Sequence, residues 1–179
     1  MKSIYKLAAE SGVPVGLYFI TAATCFFLSL RIPSLEYLVF PMMFVFPAVL
    51  YLLMKRMVKT EPGYCRFSPM WLYGIYTVIF GSLICMLYAT LFLMFIEPHF
   101  LLDYANAMIA TLQEQPSPER FEATVDVLRN AIDSHMLPSV TDFVTTIGWL
   151  TCFTGSMLSM VLALILTRMS KRRSVSMFR

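Results

Sequence analysis

Hydrophobic and polar positions along this chain fall into long blocks rather than into a fine alternation. Four predominantly apolar blocks cover about residues 13–30, 37–54, 69–96 and 143–167. An α-helix rises about 1.5 Å per residue, so a bilayer core of about 30 Å is crossed by about 20 apolar residues. No block carries an ionisable side chain near its centre. The pattern therefore predicts four membrane-spanning helices.

Composition agrees with this prediction, because 58% of the residues are hydrophobic and only 14% are charged. A soluble domain needs more polar surface than such a chain supplies. We therefore expect an all-α integral membrane protein, with residues 1–179 forming one domain built as a four-helix bundle. Gly12 and Pro14 are expected at the entrance to the first span. Its apolar run is longer than the core of a cleavable export signal, so we expect this helix to be retained.

The loops differ in charge. Eleven of the fourteen Lys and Arg residues lie in the N-terminal tail, the loop after the second span and the C-terminal tail. Most acidic residues lie in the long third connection, about residues 98–138. Positively charged loops stay on the cytoplasmic side of a membrane. Both termini are therefore predicted to be cytoplasmic and the third connection extracytoplasmic.

The third connection contains two amphipathic patterns separated by Gln115-Pro116-Ser117-Pro118. Ser117 suits a helix N-cap and Pro118 the first helical position, so a second helix is expected to start there. The connection is thus predicted to form an amphipathic helical hairpin, which either caps the bundle or lies on the membrane. The apolar faces of its two helices supply a candidate outer hairpin face: Phe100, Tyr104, Phe121, Val125 and Leu128.

Small residues recur at helix-packing spacing in the last two spans. Gly74 and Gly81 lie seven residues apart, as do Gly148 and Gly155, and Ser159 follows four residues later. Seven residues make about two helical turns, so each pair is expected to share a face and to let another backbone approach closely. These five residues are a candidate helix-packing or partner face. Contact within the chain, a second copy and a partner helix all remain open.

Residues that could carry chemistry are sparse. Charges within a membrane usually mark an ion path or substrate site, and here they lie only at the ends of the spans. The sequence has no nucleotide-binding, metalloprotease or serine hydrolase motif. We therefore expect no enzyme activity, no catalytic residue and no cofactor. Because the basic residues flank the spans, we expect them to contact lipid headgroups and not nucleic acid.

Polar residues flank the predicted hairpin and form a candidate outer polar cluster: Glu97, His99, Asp133, His135 and Asp142. Histidines and carboxylates brought together by folding could bind a divalent metal. Their spacing matches no recognised metal-binding motif, so no metal site is assigned.

The third span carries a family resemblance in Tyr73-Gly74-Ile75-Tyr76, Phe80-Gly81-Ser82-Leu83 and Ile96-Glu97-Pro98. Together with the four spans and the acidic stretch before the last one, these motifs make the chain resemble the bacterial membrane family called domain of unknown function 4199. The likeness covers nearly the whole chain. The family has no established activity, so the resemblance implies no catalytic residue. It does imply a Gram-negative inner (plasma) membrane, and an association with a membrane glycosyltransferase whose gene often lies nearby.

Two functional hypotheses follow. The first is a non-catalytic inner-membrane subunit or scaffold that binds another membrane protein or itself, with a glycosyltransferase of envelope lipid or glycan assembly as the candidate partner. The alternative is a small carrier or lipid-handling protein. In that case Pro41 and Pro47 would lie in a moving second span, and the Thr-rich fourth span would line a path. The sequence identifies neither the partner, the oligomeric state nor a transported substrate.

Overall fold

The computed structural model describes residues 3–61, 64, 66–113, 122–134 and 136–176, with side chains up to residue 169. This part of the chain contains six α-helices and no β-strand, which confirms the all-α prediction. A 3-10 turn, Pro33–Leu35, joins the first two helices. The helices are α1 (Ile4–Ser29), α2 (Glu36–Thr60), α3 (Phe67–Phe95), α4 (Phe100–Gln113), α5 (Glu122–Asp133) and α6 (Val140–Ser176).

Four of these helices are long and apolar enough to cross a membrane, as predicted: α1, α2 with its preceding turn, α3, and α6 as far as Met169. The helix ends differ from the predicted spans. Gly12 and Pro14 do not mark the start of a helix, because α1 begins at Ile4 and runs through both residues. Hydropathy marks the part of a helix that suits lipid, whereas the helix itself continues as long as backbone hydrogen bonds can be added.

Helix α3 lies at the centre and packs along α1 and along α6. It runs parallel to α1, since Gly12 adjoins Phe80 and Gly16 adjoins Ile84. It runs antiparallel to α6, since Val78 adjoins Gly155 and Met86 adjoins Gly148. The bundle therefore has a terminal end, where α1 begins and α6 ends, and a hairpin end, where α4 and α5 lie.

The buried core is divided between these two ends. At the terminal end all four long helices contribute, including Ala8, Leu50, Met70 and Leu166. At the hairpin end the buried cluster comes from α1, α3, α4 and α6, and α2 adds no buried residue to it. The buried residues of α2 are Leu50, Met54 and Met57, all in its second half. All four long helices thus share a buried cluster at the terminal end only, and at the hairpin end α4 contributes where α2 does not.

Candidate interaction surfaces

The α3–α6 contact contains four of the five small residues singled out from the sequence. Gly74 adjoins Ser159, and a Cβ added to Gly74 would lie 2.7 Å from the Ser159 Oγ. A Cβ on Gly155 would lie 2.5 Å from the Val78 Cγ1, and Gly148 lies directly against Met86. The backbones of α3 and α6 can approach this closely only because those positions lack side chains.

Hydroxyl groups inside the α3–α6 contact have partners within the chain. Ser159 is fully buried, and its hydroxyl donates a 2.7 Å hydrogen bond to the Gly155 carbonyl. The Ser82 Oγ lies 3.0 Å from the Cys152 Sγ on the opposite helix. Because these residues pack inside the bundle, a partner helix cannot reach Gly155 or Ser159 in this arrangement.

Gly81 belongs to a different contact, the one between α3 and α1. A Cβ on Gly81 would lie 2.6 Å from the Val15 Cγ1 and 3.2 Å from the Gly16 backbone nitrogen. A seven-residue step places Gly74 and Gly81 on nearly one side of α3, about 20° apart. That side borders both neighbours, so one residue packs on α6 and the other on α1.

The α1 half of this contact was not predicted from the sequence. Gly12 and Gly16 form a Gly-x-x-x-Gly motif, and both are buried against α3. The spacing is the usual signal for close helix packing in membranes, and it was available in the sequence. Two interhelical hydrogen bonds accompany the contact. Tyr73 donates from its Oη to the Ser11 Oγ over 2.6 Å, and the Thr24 Oγ1 lies 2.7 Å from the Tyr88 Oη.

Aromatic rings connect α4 to the hairpin end of the bundle. The Phe27 ring centroid lies 5.1 Å from that of Phe100 and 5.5 Å from that of Phe92. Phe100 also stacks on Tyr104 at 5.9 Å. Phe100 is buried, so the start of α4 packs directly on α1 and belongs to the buried cluster that also contains α3 residues.

The residues of the candidate outer hairpin face differ in exposure. Phe100 and Val125 are buried, Leu128 is half-buried and Tyr104 is 37% exposed. Phe121 lies outside the described residues, as do Ser117 and Pro118. The buried residues of this face lie against the rest of the chain, and of the four described members only Tyr104 is exposed.

Each described residue of the candidate outer polar cluster either has a partner outside the cluster or is exposed. Glu97 pairs with Arg31, with 2.7 Å between its Oε1 and the guanidinium. Asp142 lies in the first turn of α6, which Ser139 caps: the Ser139 hydroxyl donates to the Asp142 Oδ2 over 2.7 Å and accepts the Asp142 backbone N–H at 3.1 Å. His99 and Asp133 are exposed, and His135 is not among the described residues. No group of three His, Cys, Asp or Glu side chains among the described residues could hold a metal ion.

The first half of α2 leaves large apolar side chains uncovered. Residues 36–49 contain no buried side chain. Their inner side meets α1 through Phe46, whose ring lies 5.0 Å from that of Phe19, and through the Tyr18 hydroxyl, which donates to the Met42 carbonyl. Four residues on the opposite side, each at least 63% exposed, form what we call the α2 outer face: Tyr37, Phe40, Met43 and Phe44.

A protein-family model described as "Protein of unknown function (DUF4199)" matches residues 10–168. The chain belongs to this family. The match confirms the resemblance seen in the third span, and it includes both small-residue contacts, the hairpin and most of the four long helices. No curated protein and no solved structure matches this DUF4199 chain.

Proposed function

We propose that this DUF4199 protein is a non-catalytic membrane subunit or scaffold, and that it binds another membrane protein through the α2 outer face. The uncovered first half of α2 carries the proposal. The other three long helices pack closely on one another through small residues, and they also expose rings such as Trp149 and Phe153 of α6. Among the four long helices, only α2 has a described segment of this length, residues 36–49, without a buried side chain. Lipid does not drive helices together, so partners in a membrane are selected by side-chain packing. Protruding rings give a partner helix a defined surface to pack against.

The family resemblance suggests the class of partner, a membrane glycosyltransferase of envelope lipid or glycan assembly. We further propose a bacterial inner membrane with the terminal end in the cytoplasm and the hairpin outside. Exposed basic residues at the terminal end, such as Lys59 and Arg66, support this orientation, as do the exposed acids Glu122 and Asp126 on α5.

Site-specific photocrosslinking tests the partner surface. A photoreactive amino acid replaces Phe44, which is 80% exposed on α2, or Phe95, which is 79% exposed on α3. The protein is co-expressed with the membrane glycosyltransferase from the same genome. We expect a crosslink to that enzyme from position 44 and a much weaker one from position 95. Equal yields from both positions, or none from position 44, would refute the α2 outer face as the binding surface.

The carrier alternative has one supporting observation, since Pro41 and Pro47 both lie in the loosely packed half of α2. The threonines of α6 do not support it. Thr146 and Thr151 are five residues apart and therefore about 140° apart around the helix. The Thr151 hydroxyl donates to the Ile147 carbonyl of its own helix over 2.8 Å. A photoproduct from position 44 that contains lipid alone would favour this alternative over the scaffold.

A further inference from the structure

We propose that one face of α2 at the terminal end, formed by Tyr51, Lys55 and Lys59, binds the headgroup of an anionic phospholipid in the surrounding bilayer. We call these three residues the α2 basic face. The proposal goes beyond partner binding and rests only on the four long helices spanning a bilayer. The α2 outer face lies in the other half of the helix, so the two surfaces can be tested separately.

Helical spacing brings the three side chains together. Tyr51, Lys55 and Lys59 lie at intervals of four residues, so they follow one another along a single face of α2. Both lysines are exposed and Tyr51 is half-buried. This face begins within the apolar part of the helix and ends in its last turn, the depth range in which a bilayer changes from acyl chains to headgroups.

The position of the Lys55 ammonium is defined by the tyrosine. Its Nζ lies 5.7 Å from the centroid of the Tyr51 ring, in cation–π contact. A long lysine side chain usually extends toward water, but here the contact holds the charge beside a residue one turn deeper along α2. The ammonium is thus held where a lipid phosphate can approach it from the membrane side.

Neither lysine has a carboxylate partner among the described residues. The ion pair formed within that part of the chain joins Arg31 and Glu97, at the hairpin end of the bundle. Arg56 and Arg66, at the end of α2 and the start of α3, are also exposed and add positive charge nearby. A phosphate carries the complementary charge, and each basic residue near an anionic membrane surface contributes about 1 kcal/mol of attraction. The surrounding bilayer supplies such phosphates at high local concentration.

Reconstitution in lipid nanodiscs tests this site. The probe is phosphatidylcholine with a minor fraction of phosphatidylglycerol, and the measurement is the amount of each lipid that stays bound to the purified protein by mass spectrometry. We expect phosphatidylglycerol to be enriched on the unmodified protein. Changing Lys55→Gln or Lys59→Gln should lower the affinity for it about fivefold each, the equivalent of about 1 kcal/mol.

A matched control separates a defined site from general attraction by positive charge. The pair Lys6→Gln and Arg168→Gln removes two exposed charges from the same end of the bundle, on α1 and α6. We expect this pair to retain most of the phosphatidylglycerol that the Lys55→Gln, Lys59→Gln pair loses. Equal loss from the two pairs, or no enrichment on the unmodified protein, would overturn the proposal. Because all four side chains are exposed, each variant is expected to fold normally, which thermal unfolding in detergent checks.

Discussion

Single residues determine how closely the helices approach one another. Val15 and the Gly16 backbone of α1 occupy the space that a side chain at Gly81 would need, and Val78 does the same at Gly155. These glycines are required by close contact with neighbouring atoms rather than by an unusual backbone conformation. A methyl group added at Gly81 must displace α1, because the Gly16 backbone cannot rotate away as a flexible side chain can. At Gly155 the obstacle is the side chain of Val78, which is β-branched and therefore stiff.

Gly81→Ala is therefore expected to destabilise the protein. The added Cβ would lie 2.6 Å from the Val15 Cγ1, so α1 must move outward and lose packing along α3. We expect the free energy of unfolding in detergent to fall by about 1–3 kcal/mol. The control is Leu83→Ala, two residues along the same helix at a 54% exposed position, where a change below about 0.5 kcal/mol is expected. Unaltered stability of Gly81→Ala would contradict the close α1–α3 contact.

A substitution at Thr77 is expected to stabilise the protein, in contrast to Gly81→Ala. This residue is fully buried, and its Oγ1 makes no hydrogen bond of normal geometry among the described residues, although it lies near the Tyr73 hydroxyl, which is already bonded to Ser11. Replacing the hydroxyl by a methyl group of similar size removes the free-energy penalty of burying an unpaired polar atom. Thr77→Val is thus expected to raise the free energy of unfolding by about 1 kcal/mol.

Thr24→Val serves as the comparison for Thr77→Val. The Thr24 hydroxyl is bonded to the Ile20 carbonyl and to the Tyr88 hydroxyl of α3. Its removal leaves Tyr88 without this partner and should lower stability by about 0.6 kcal/mol, the mean measured for such bonds in membranes. Chemical unfolding curves of both variants in the same detergent give the two differences. If both substitutions change stability in the same direction, the assignment of Thr77 as unpaired is wrong.

At the scale of secondary-structure elements, α2 and α4 attach to the bundle in different ways. Helix α2 buries side chains only in its second half, so its first half is held by Tyr18, Phe19 and little else. Helix α4 is attached at its start, where Phe100 is buried against the Phe26 and Phe27 rings of α1. The Arg31–Glu97 ion pair joins the ends of α1 and α3 just before α4 begins.

Phe100→Ala is expected to loosen the hairpin and leave the rest of the bundle intact. A buried phenylalanine cut to alanine costs about 3–5 kcal/mol, and here that loss falls on the attachment of α4. Hydrogen exchange read peptide by peptide should show faster exchange in α4 and α5, with α3 unchanged. The control, Leu102→Ala, alters a 38% exposed residue of the same helix and should leave the exchange pattern nearly unchanged. Faster exchange throughout α3 in Phe100→Ala would argue against a local attachment.

At the scale of the whole molecule, charge separates along the bundle axis. Exposed Lys and Arg residues concentrate at the terminal end, and exposed Asp and Glu residues concentrate on α4, α5 and the start of α6. This distribution supports the proposed orientation, in which the basic end lies in the cytoplasm. Both proposed surfaces depend on the four long helices spanning a bilayer, because the α2 basic face needs headgroups beside it and the α2 outer face needs the membrane interior.

Thiol labelling of intact cells tests the orientation. In a chain with its four native cysteines replaced, Asp126→Cys on α5 and Thr60→Cys at the end of α2 both present exposed thiols. A reagent that does not cross membranes should label position 126 in whole cells and position 60 only after the cells are broken. The reverse result would place the hairpin in the cytoplasm and invert the proposed orientation.

The small residues of the α3–α6 contact were predicted from the sequence, whereas the α2 outer face was not. Gly74, Gly148, Gly155 and Ser159 could be singled out because small residues are rare enough in apolar helices to be informative at helical spacing. The α2 outer face could not, since in a membrane the lipid-facing and protein-facing sides of a helix are equally apolar. The Arg31–Glu97 pair was missed for a further reason, because its partners lie 66 positions apart in the chain.

Hydrophobic blocks of sufficient length determined from sequence alone that this chain is all-helical and has four candidate membrane spans. The reason is that a segment crosses a bilayer only if it is long and apolar enough, and both are properties of contiguous sequence. Only the tertiary structure decided that α3 is central, that Gly74 packs on α6 while Gly81 packs on α1, and that the first half of α2 stays uncovered. Those outcomes depend on which helix occupies which side of its neighbours, and the residues involved are distant in the chain and alike in polarity.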